Sequence, residues 1–286
     1  MTVVKVAAIQ AKPVGNDLTH PGNVEHALEL LRKCVQMDDE VKVACFPEYF
    51  PWSGREELAR EAGELGIYVI AGIAERENGA LYNSCILFGP DGSILGRQRK
   101  LSLGSMERKY FGFKPGRELR VFDTEFGRIG IGVCADLWGP PNVGRQLLKM
   151  GAELIFNPSF FFVLRDVWHC LLLARAVELM VPIVAVDTAE FPFRLGDRVF
   201  RECGGLTCIV GPPWRDMEEF ASWWHGARFN WFLGWLGTEE GILIRELDLD
   251  KAREFRKAWF SRIVGREDPW VSEEAARGWP CQGPAW

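Results

Sequence analysis

The apolar positions of this chain switch repeatedly between a period of two and a period near 3.6, the signatures of half-buried strands and amphipathic helices. VVKVAAIQ (3–10) reads as a first strand. After a loop holding Pro13 and Gly15, residues 23–36 place Val24, Ala27, Leu28, Leu31, Cys34 and Val35 on one helical face, with Asn23 as N-cap. VKVACFPE (41–48) is a second buried strand ended by Pro47, and IYVIAGIA (67–74) a third. Between them, Ser53 and Glu56 have the spacing of a capping box for a helix over 54–65, closed by Gly66. Residues 83–100 form two strands around a Pro-Asp-Gly turn, and 118–134 repeat the hairpin pattern around Glu125 to Arg128. Pro140-Pro141 can open a helix running to Met150, with Gly151 just past its end. AELIFNPS (152–159) is the next strand, and 166–180 is a strongly apolar helix ended before Pro182. PIVAVDTA, GLTCIVGP and GILIRELDL supply the last strands.

Strands alternating with helices define an α/β chain, and the hairpins require mixed rather than purely parallel sheets. This many strands, with helices available for the outer faces, predicts two sheets packed together and covered by helices. The glycines of GRIGIG (127–132) precede a strand end and open no helix, so they are not a dinucleotide-binding turn. Neither GxxxxGK(S/T) nor GxSxG occurs, which argues against phosphate transfer and serine hydrolysis.

Charge and composition narrow the class further. The net charge is −5 and no Lys/Arg block stands out, so neither nucleic acid nor an anionic membrane surface is an expected partner. MTVVKVAAIQ enters a strand directly, without the features of a secretion signal, and no apolar run reaches the 18 or so residues a bilayer span needs. A cytoplasmic location is the expectation. Eight cysteines at irregular spacing, with no CxxC pair, and four scattered histidines match no zinc pattern, so no metal and no cofactor is expected. In a reducing compartment such cysteines stay free. His169, beside Trp168 on an apolar helix, reads as a packed or supporting residue.

Three strand ends carry a reactive side chain: Glu48, Lys100 and Cys134. Taken singly they read as a loop charge, a surface amine and a core thiol. Together they make chemical sense. A thiol needs a base or a positive neighbour to attack at neutral pH, and a poorly solvated carboxylate can be that base. The negative charge that develops on an attacked carbonyl or nitrile can be held by an ammonium and a backbone N–H.

The ordered set FPE, RK and GVCAD resembles the nitrilase superfamily of carbon–nitrogen hydrolases, as do VKVAAIQ, the NPS after GAELIF, WHCLLLARAVELMVPIVAVD and the closing strands. The likeness spans roughly residues 3 to 260. It implies a four-layer αββα sandwich that dimerises or assembles further. It also implies roles: Glu48 as general base, Cys134 as nucleophile forming a thioester, and Lys100 with the Ala135 N–H holding the oxyanion. Glu107 would be the second glutamate that orients the site. Tyr49, Trp138 and Phe160 are the expected pocket residues, on walls drawn from loops 50–56, 108–116, 138–144, 160–166 and 188–200. The implied activity is hydrolysis of a small carboxamide or N-carbamoyl compound with release of ammonia. The alternatives are a nitrilase and a non-catalytic scaffold.

The chain also departs from the family pattern. The Phe-Pro-Glu that many members carry soon after the nucleophile is replaced here by LWGPP, and Asp187 stands where Asn is frequent. Asp136, in place of the Trp-Glu of true nitrilases, leans toward amide or carbamoyl substrates. Residues 214–237, with five tryptophans, read as an insertion in the hydrolase domain (1–264): an extra packed helix, an oligomer interface or a lid. The tail 265–286 would be an arm crossing to another subunit.

Overall fold

In the computed structural model, residues 2–139, 143–161, 167–212 and 231–259 are described. Strand β1 (Val3–Gln10) sends Val4, Val6 and Ala8 to one face and Ala7 and Ile9 to the other, all buried, so it must be covered on both sides. It is an interior strand of a seven-stranded sheet with β2 (Val41–Cys45), β3 (Pro51–Trp52), β4 (Tyr68–Glu77), β5 (Ala80–Phe88), β6 (Ile94–Arg99) and β15 (Gly241–Asp248). The order is β15-β1-β2-β4-β5-β6, with β3 added on β4. The β1–β2 and β2–β4 pairs are parallel and the β4–β5 and β5–β6 hairpins antiparallel, giving the expected mixed sheet.

The second sheet runs β14 (Phe232–Trp235), β13 (Cys208–Val210), β10 (Ile183–Val186), β9 (Leu154–Pro158), β8 (Gly127–Ile131), β7 (Val121–Thr124). Val43, Ile70 and Leu87 of the first sheet meet Ile131, Phe156, Val184 and Ile209 of the second in one buried cluster. Helices α1 (Asn23–Met37) and α2 (Arg55–Leu65) cover the first sheet's outer face, with Leu31 and Leu58 fully buried on Ala44 and Val69. The outer face of the second lies under α3 (Ala135–Trp138), α4 (Val143–Lys149) and α5 (Trp168–Leu179), packed through Leu147, Trp168 and Leu172. The layers are therefore α, β, β, α. Helix α6 (Leu249–Ala258) closes the described chain, its first turn capped by Asp248, which accepts from the Lys251 amide.

Several local expectations are corrected. Asn23 does not cap α1. Its side chain instead accepts from the Val14 amide and donates to the Asp17 and Leu18 carbonyls, pinning the preceding loop. The capping box at Ser53 and Glu56 does not form, because Gly54 occupies the N-cap position in the left-handed region, φ 87°. A Cβ there would lie 2.6 Å from Val24, so the approach of α2 to α1 selects glycine over a side-chain cap. The stretch 188–200 is no simple loop: β11 (Phe191–Leu195) and β12 (Arg198–Cys203) form a separate two-stranded ribbon. The end of the tryptophan-rich insertion is an edge strand, β14, rather than part of a helix. Residues 214–230 of the insertion, Pro140 and Pro141, and the tail 265–286 lie outside the described residues.

Both sheets end at the same rim. Strand β2 leads to Glu48 and β6 to Lys100, while β8 leads to Cys134 and β9 to Phe160. The turn carrying Glu48 lies flat on β4 at Gly72, whose N–H donates to the Phe50 carbonyl at 2.9 Å. A Cβ on Gly72 would lie 2.4 Å from the Tyr49 amide nitrogen, so only glycine lets this turn sit where it does.

Candidate active site

Cys134 follows β8 at a turn with φ 48° and ψ −117°, a conformation that costs a residue with a Cβ about 1–3 kcal/mol and persists only when its surroundings enforce it. Here they do. The Cys134 amide donates to the Pro158 carbonyl at 2.8 Å, and the buried Asn157 amide donates to the Gly132 and Cys134 carbonyls at 2.6 and 3.1 Å. The one-turn helix α3, absent from the sequence expectation, begins directly after the cysteine and carries Trp138 toward the cavity.

Around the thiol stand three ionisable side chains that no water solvates well. The Lys100 ammonium lies 2.9 Å from Glu48 Oε1 and 3.0 Å from Glu107 Oε2, and Glu48 and Lys100 are only 1% and 4% exposed. Glu107 sits in a π-helical turn, Glu107–Phe111, and also accepts from the Tyr49 hydroxyl at 2.6 Å and the Gly104 amide at 2.8 Å. It therefore pairs with the site lysine. Glu48 Oε2 accepts from the Phe160 amide at 2.9 Å.

Asn83, mid-strand in β5, is a residue that sequence reasoning missed. Its Nδ2 donates to Glu48 Oε1 at 2.6 Å and to Glu107 Oε1 at 3.1 Å, bridging the two carboxylates. Two charged acceptors can face only the NH₂ end of the amide, so they fix its orientation. The available signal was weak: a polar residue inside an otherwise apolar strand.

The two carboxylates are pushed apart in acidity. Burial raises Glu48 above the usual carboxylate range, with the Glu107 charge adding to it and Lys100 opposing. Burial would raise Glu107 as well, but Lys100, then the Tyr49 hydroxyl and the Gly104 amide, hold it below that range. One group is thus poised to exchange a proton while its neighbour stays charged, the pattern that separates an acid/base from an electrostatic partner. Burial would deprotonate Lys100, but the charges around it, those of Glu48 and Glu107 while the thiol keeps its proton, hold it a cation. Burial and then the Glu48 charge push the Cys134 thiol far up, so the sulfur rests protonated beside a carboxylate.

The group faces a cavity of about 330 Å³. Glu48, Lys100, Glu107, Cys134 and Ala135 line it together with Tyr49, Trp138 and Phe160, so every sequence-predicted site residue is on its wall. Met106, Phe111, Phe161 and Phe193 complete its apolar side; the last three come from the expected wall segments 108–116, 160–166 and 188–200, whereas Met106 lies outside them. Two other expectations are placed differently. Asp136 does not line the cavity: its carboxylate accepts from the Leu101 and Ser102 amides at 2.8 and 2.6 Å, tying the Cys134 turn to the segment after Lys100. Asp187 holds the Phe161 and Thr188 amides. His169 hydrogen-bonds with the Leu206 carbonyl and supports the fold away from the cavity. Among the described residues no cluster of three or more His, Cys, Asp or Glu side chains could hold a metal ion, and no helix is long and apolar enough to cross a membrane.

A profile of the carbon-nitrogen hydrolase family matches residues 5–257. The omega-amidase of Xenopus tropicalis is 28% identical over 242 residues, covering 80% of each chain. Among solved structures, a carbon-nitrogen hydrolase from Helicobacter pylori G27 superposes with a TM-score of 0.74 at 21% identity, over 90% of this chain and 93% of that one. An amidase from Nesterenkonia sp. AN1, in a variant carrying an acetamide moiety covalently on its active-site cysteine, superposes with a TM-score of 0.67 at 21% identity, over 91% and 96%. These two share the fold.

Proposed function

The chain belongs to the carbon–nitrogen hydrolase family, and from that premise we propose that it is a thiol amidohydrolase converting a small carboxamide to its acid and ammonia. The observation that carries the reading is the Lys100 ammonium shared by two carboxylates of divergent acidity on the wall that Cys134 faces. The amidase relatives support the amide over the nitrile.

In this reading Glu48 takes the thiol proton as Sγ bonds to the carbonyl carbon, and the carbonyl oxygen becomes an oxyanion. Lys100 and the Ala135 amide, which donates to no acceptor among the described residues, stabilise that charge. Glu48 returns the proton to the nitrogen, the C–N bond breaks, and ammonia leaves a thioester on Cys134. Water then loses a proton to Glu48 and attacks the thioester. The acid departs, and the proton goes back to sulfur. Glu107, kept anionic, holds Lys100 protonated throughout.

The test is mass spectrometry with ammonia assay on a panel of amides and their matching nitriles. Amide turnover with an acyl adduct on the Cys134 peptide is the expected result, and turnover of nitriles alone overturns the amide assignment. Because Glu48 must be deprotonated to act, kcat/KM falls as pH drops through its raised value, so the acid limb lies above the ordinary carboxylate range. Asn83 stabilises the Glu48 anion by donating to it. Asn83→Leu is therefore expected to move that limb to still higher pH and to lower kcat/KM roughly 10–100-fold, the equivalent of the about 1.5–3 kcal/mol that a hydrogen bond to a charged group contributes. A pH profile that drops in height without moving would assign Asn83 a purely structural role.

We extend the proposal to self-association and to a cytoplasmic setting. Edge strand β14 leaves Trp235 60% exposed, the kind of residue enriched at protein interfaces. Cys34, Cys45, Cys85, Cys134, Cys170 and Cys208 are thiols outside any disulfide, which suits a reducing compartment.

A further inference from the structure

A second cavity, of about 640 Å³, opens beside the first. Its walls come from the loop after β1, from Tyr110 and Phe111, and from β11. Among the described residues, only Phe111 and Phe193 line both this cavity and the one over Cys134. Their two rings are the shared wall.

Both rings rest on groups that hold the site carboxylates. Phe193 packs edge-on against Phe160, with ring centroids 4.9 Å apart, and the Phe160 amide binds Glu48. Phe111 lies 5.9 Å from the ring of Tyr49, whose hydroxyl binds Glu107. Phe193 comes from the alternation Phe191, Phe193, Leu195, buried residues on one face of a ribbon that, among the described residues, pairs only with itself. The wall therefore hangs from an element that neither large sheet holds by backbone pairing. Behind it the outer cavity offers Leu18 and Leu195 as apolar surface, with Asn16, Thr19 and Arg194 among its polar groups.

We propose that Phe193 is a specificity-determining residue that sets the acyl-chain limit. Its ring stops the chain of the amide at the end of the inner cavity. A smaller residue there joins the two cavities, so that unbranched apolar acyl chains extend into the outer one. The inference deepens the amidase reading and rests on it for its kinetic test.

That test is kcat/KM for ammonia release across linear amides from propionamide to octanamide, in the wild type, Phe193→Ala and Phe193→Leu. Each additional methylene that becomes buried is worth about fourfold in binding. Phe193→Ala is therefore expected to raise the octanamide-to-propionamide ratio by at least about tenfold, with Phe193→Leu between it and the wild type. In Phe193→Ala, adding Leu18→Trp, which fills the outer cavity, should return the ratio toward the wild-type value. A ratio unchanged in a folded, active Phe193→Ala overturns the proposal. Should the alanine variant fail to fold, the leucine variant is read against the same series. A second measurement separates this inference from the amidase reading: the rate at which 2-bromoalkanamides of the same chain lengths alkylate Cys134, followed on its peptide. A shift toward long reagents in Phe193→Ala, with no amide hydrolysed by any form, would sustain the partition and refute the amidase reading. An unchanged labelling preference refutes the partition.

Discussion

Cys134→Ala is expected to lower ammonia release by at least about four orders of magnitude, the usual consequence of deleting a nucleophile. Cys45→Ala and Cys85→Ala should stay within a few-fold of the wild type. All three thiols are buried and burial pushes the pKa of each well up, so acidity alone does not single one out. Surroundings do. Cys45 and Cys85 pack between the sheets, whereas Cys134 stands at the end of β8 on the cavity wall with Glu48 and Lys100. Alanine fits the same strained turn without a new clash, so thermal unfolding of Cys134→Ala should remain near that of the wild type. Full activity in this variant would remove the nucleophile assignment.

Lys100→Met is expected to damage both stability and activity. It deletes the cation between two buried carboxylates and leaves them to share the Asn83 amide. Breaking a buried pair from one side typically costs about 3–5 kcal/mol. The sign of its pH dependence follows. In the wild type the depressed Glu107 contributes stability above its unfolded value, and that contribution is lost as pH falls through the folded value. Without Lys100 the carboxylates take up a proton more readily in the folded state than in the unfolded one. The stability deficit of the variant should therefore be largest near neutrality and shrink toward acid pH. Denaturant titrations at pH 7 and pH 5 measure this directly, and equal deficits at the two values would contradict the role given to the ammonium. Activity fails for a linked reason, because a carboxylate that retains its proton cannot take one from the thiol.

Much of this architecture is legible in the sequence because two-sided burial leaves a plain trace. VVKVAAIQ and AELIFNPS are nearly continuous apolar runs, and those strands are covered on both faces. The hairpins around Pro90-Asp91-Gly92 and Glu125 to Arg128 were equally plain, since turn residues interrupt strand alternation there. The reactive residues stood out because each ends an apolar run with a polar group. What failed was decided by tertiary contact. Gly54 overrode the cap at Ser53 because of how closely Val24 approaches. The ribbon β11–β12 was hidden by Pro192, which usually argues against a strand; here it is exposed on a strand that pairs on one side only. Asn83 carries no local sign of its task, because its partners lie 35 and 24 positions away.

The reactive group is assembled across the seam between the two sheets. Glu48 and Lys100 hang from the ends of one, Cys134 and the Phe160 amide from the ends of the other, and neither sheet holds a complete set. Catalysis by this protein is therefore a gauge of sheet-to-sheet spacing. Thinning the shared filling at Ile131, Phe156 or Leu87 would slide sulfur and carboxylate out of alignment while each sheet kept its own backbone pairing, silencing the enzyme before its circular dichroism changed.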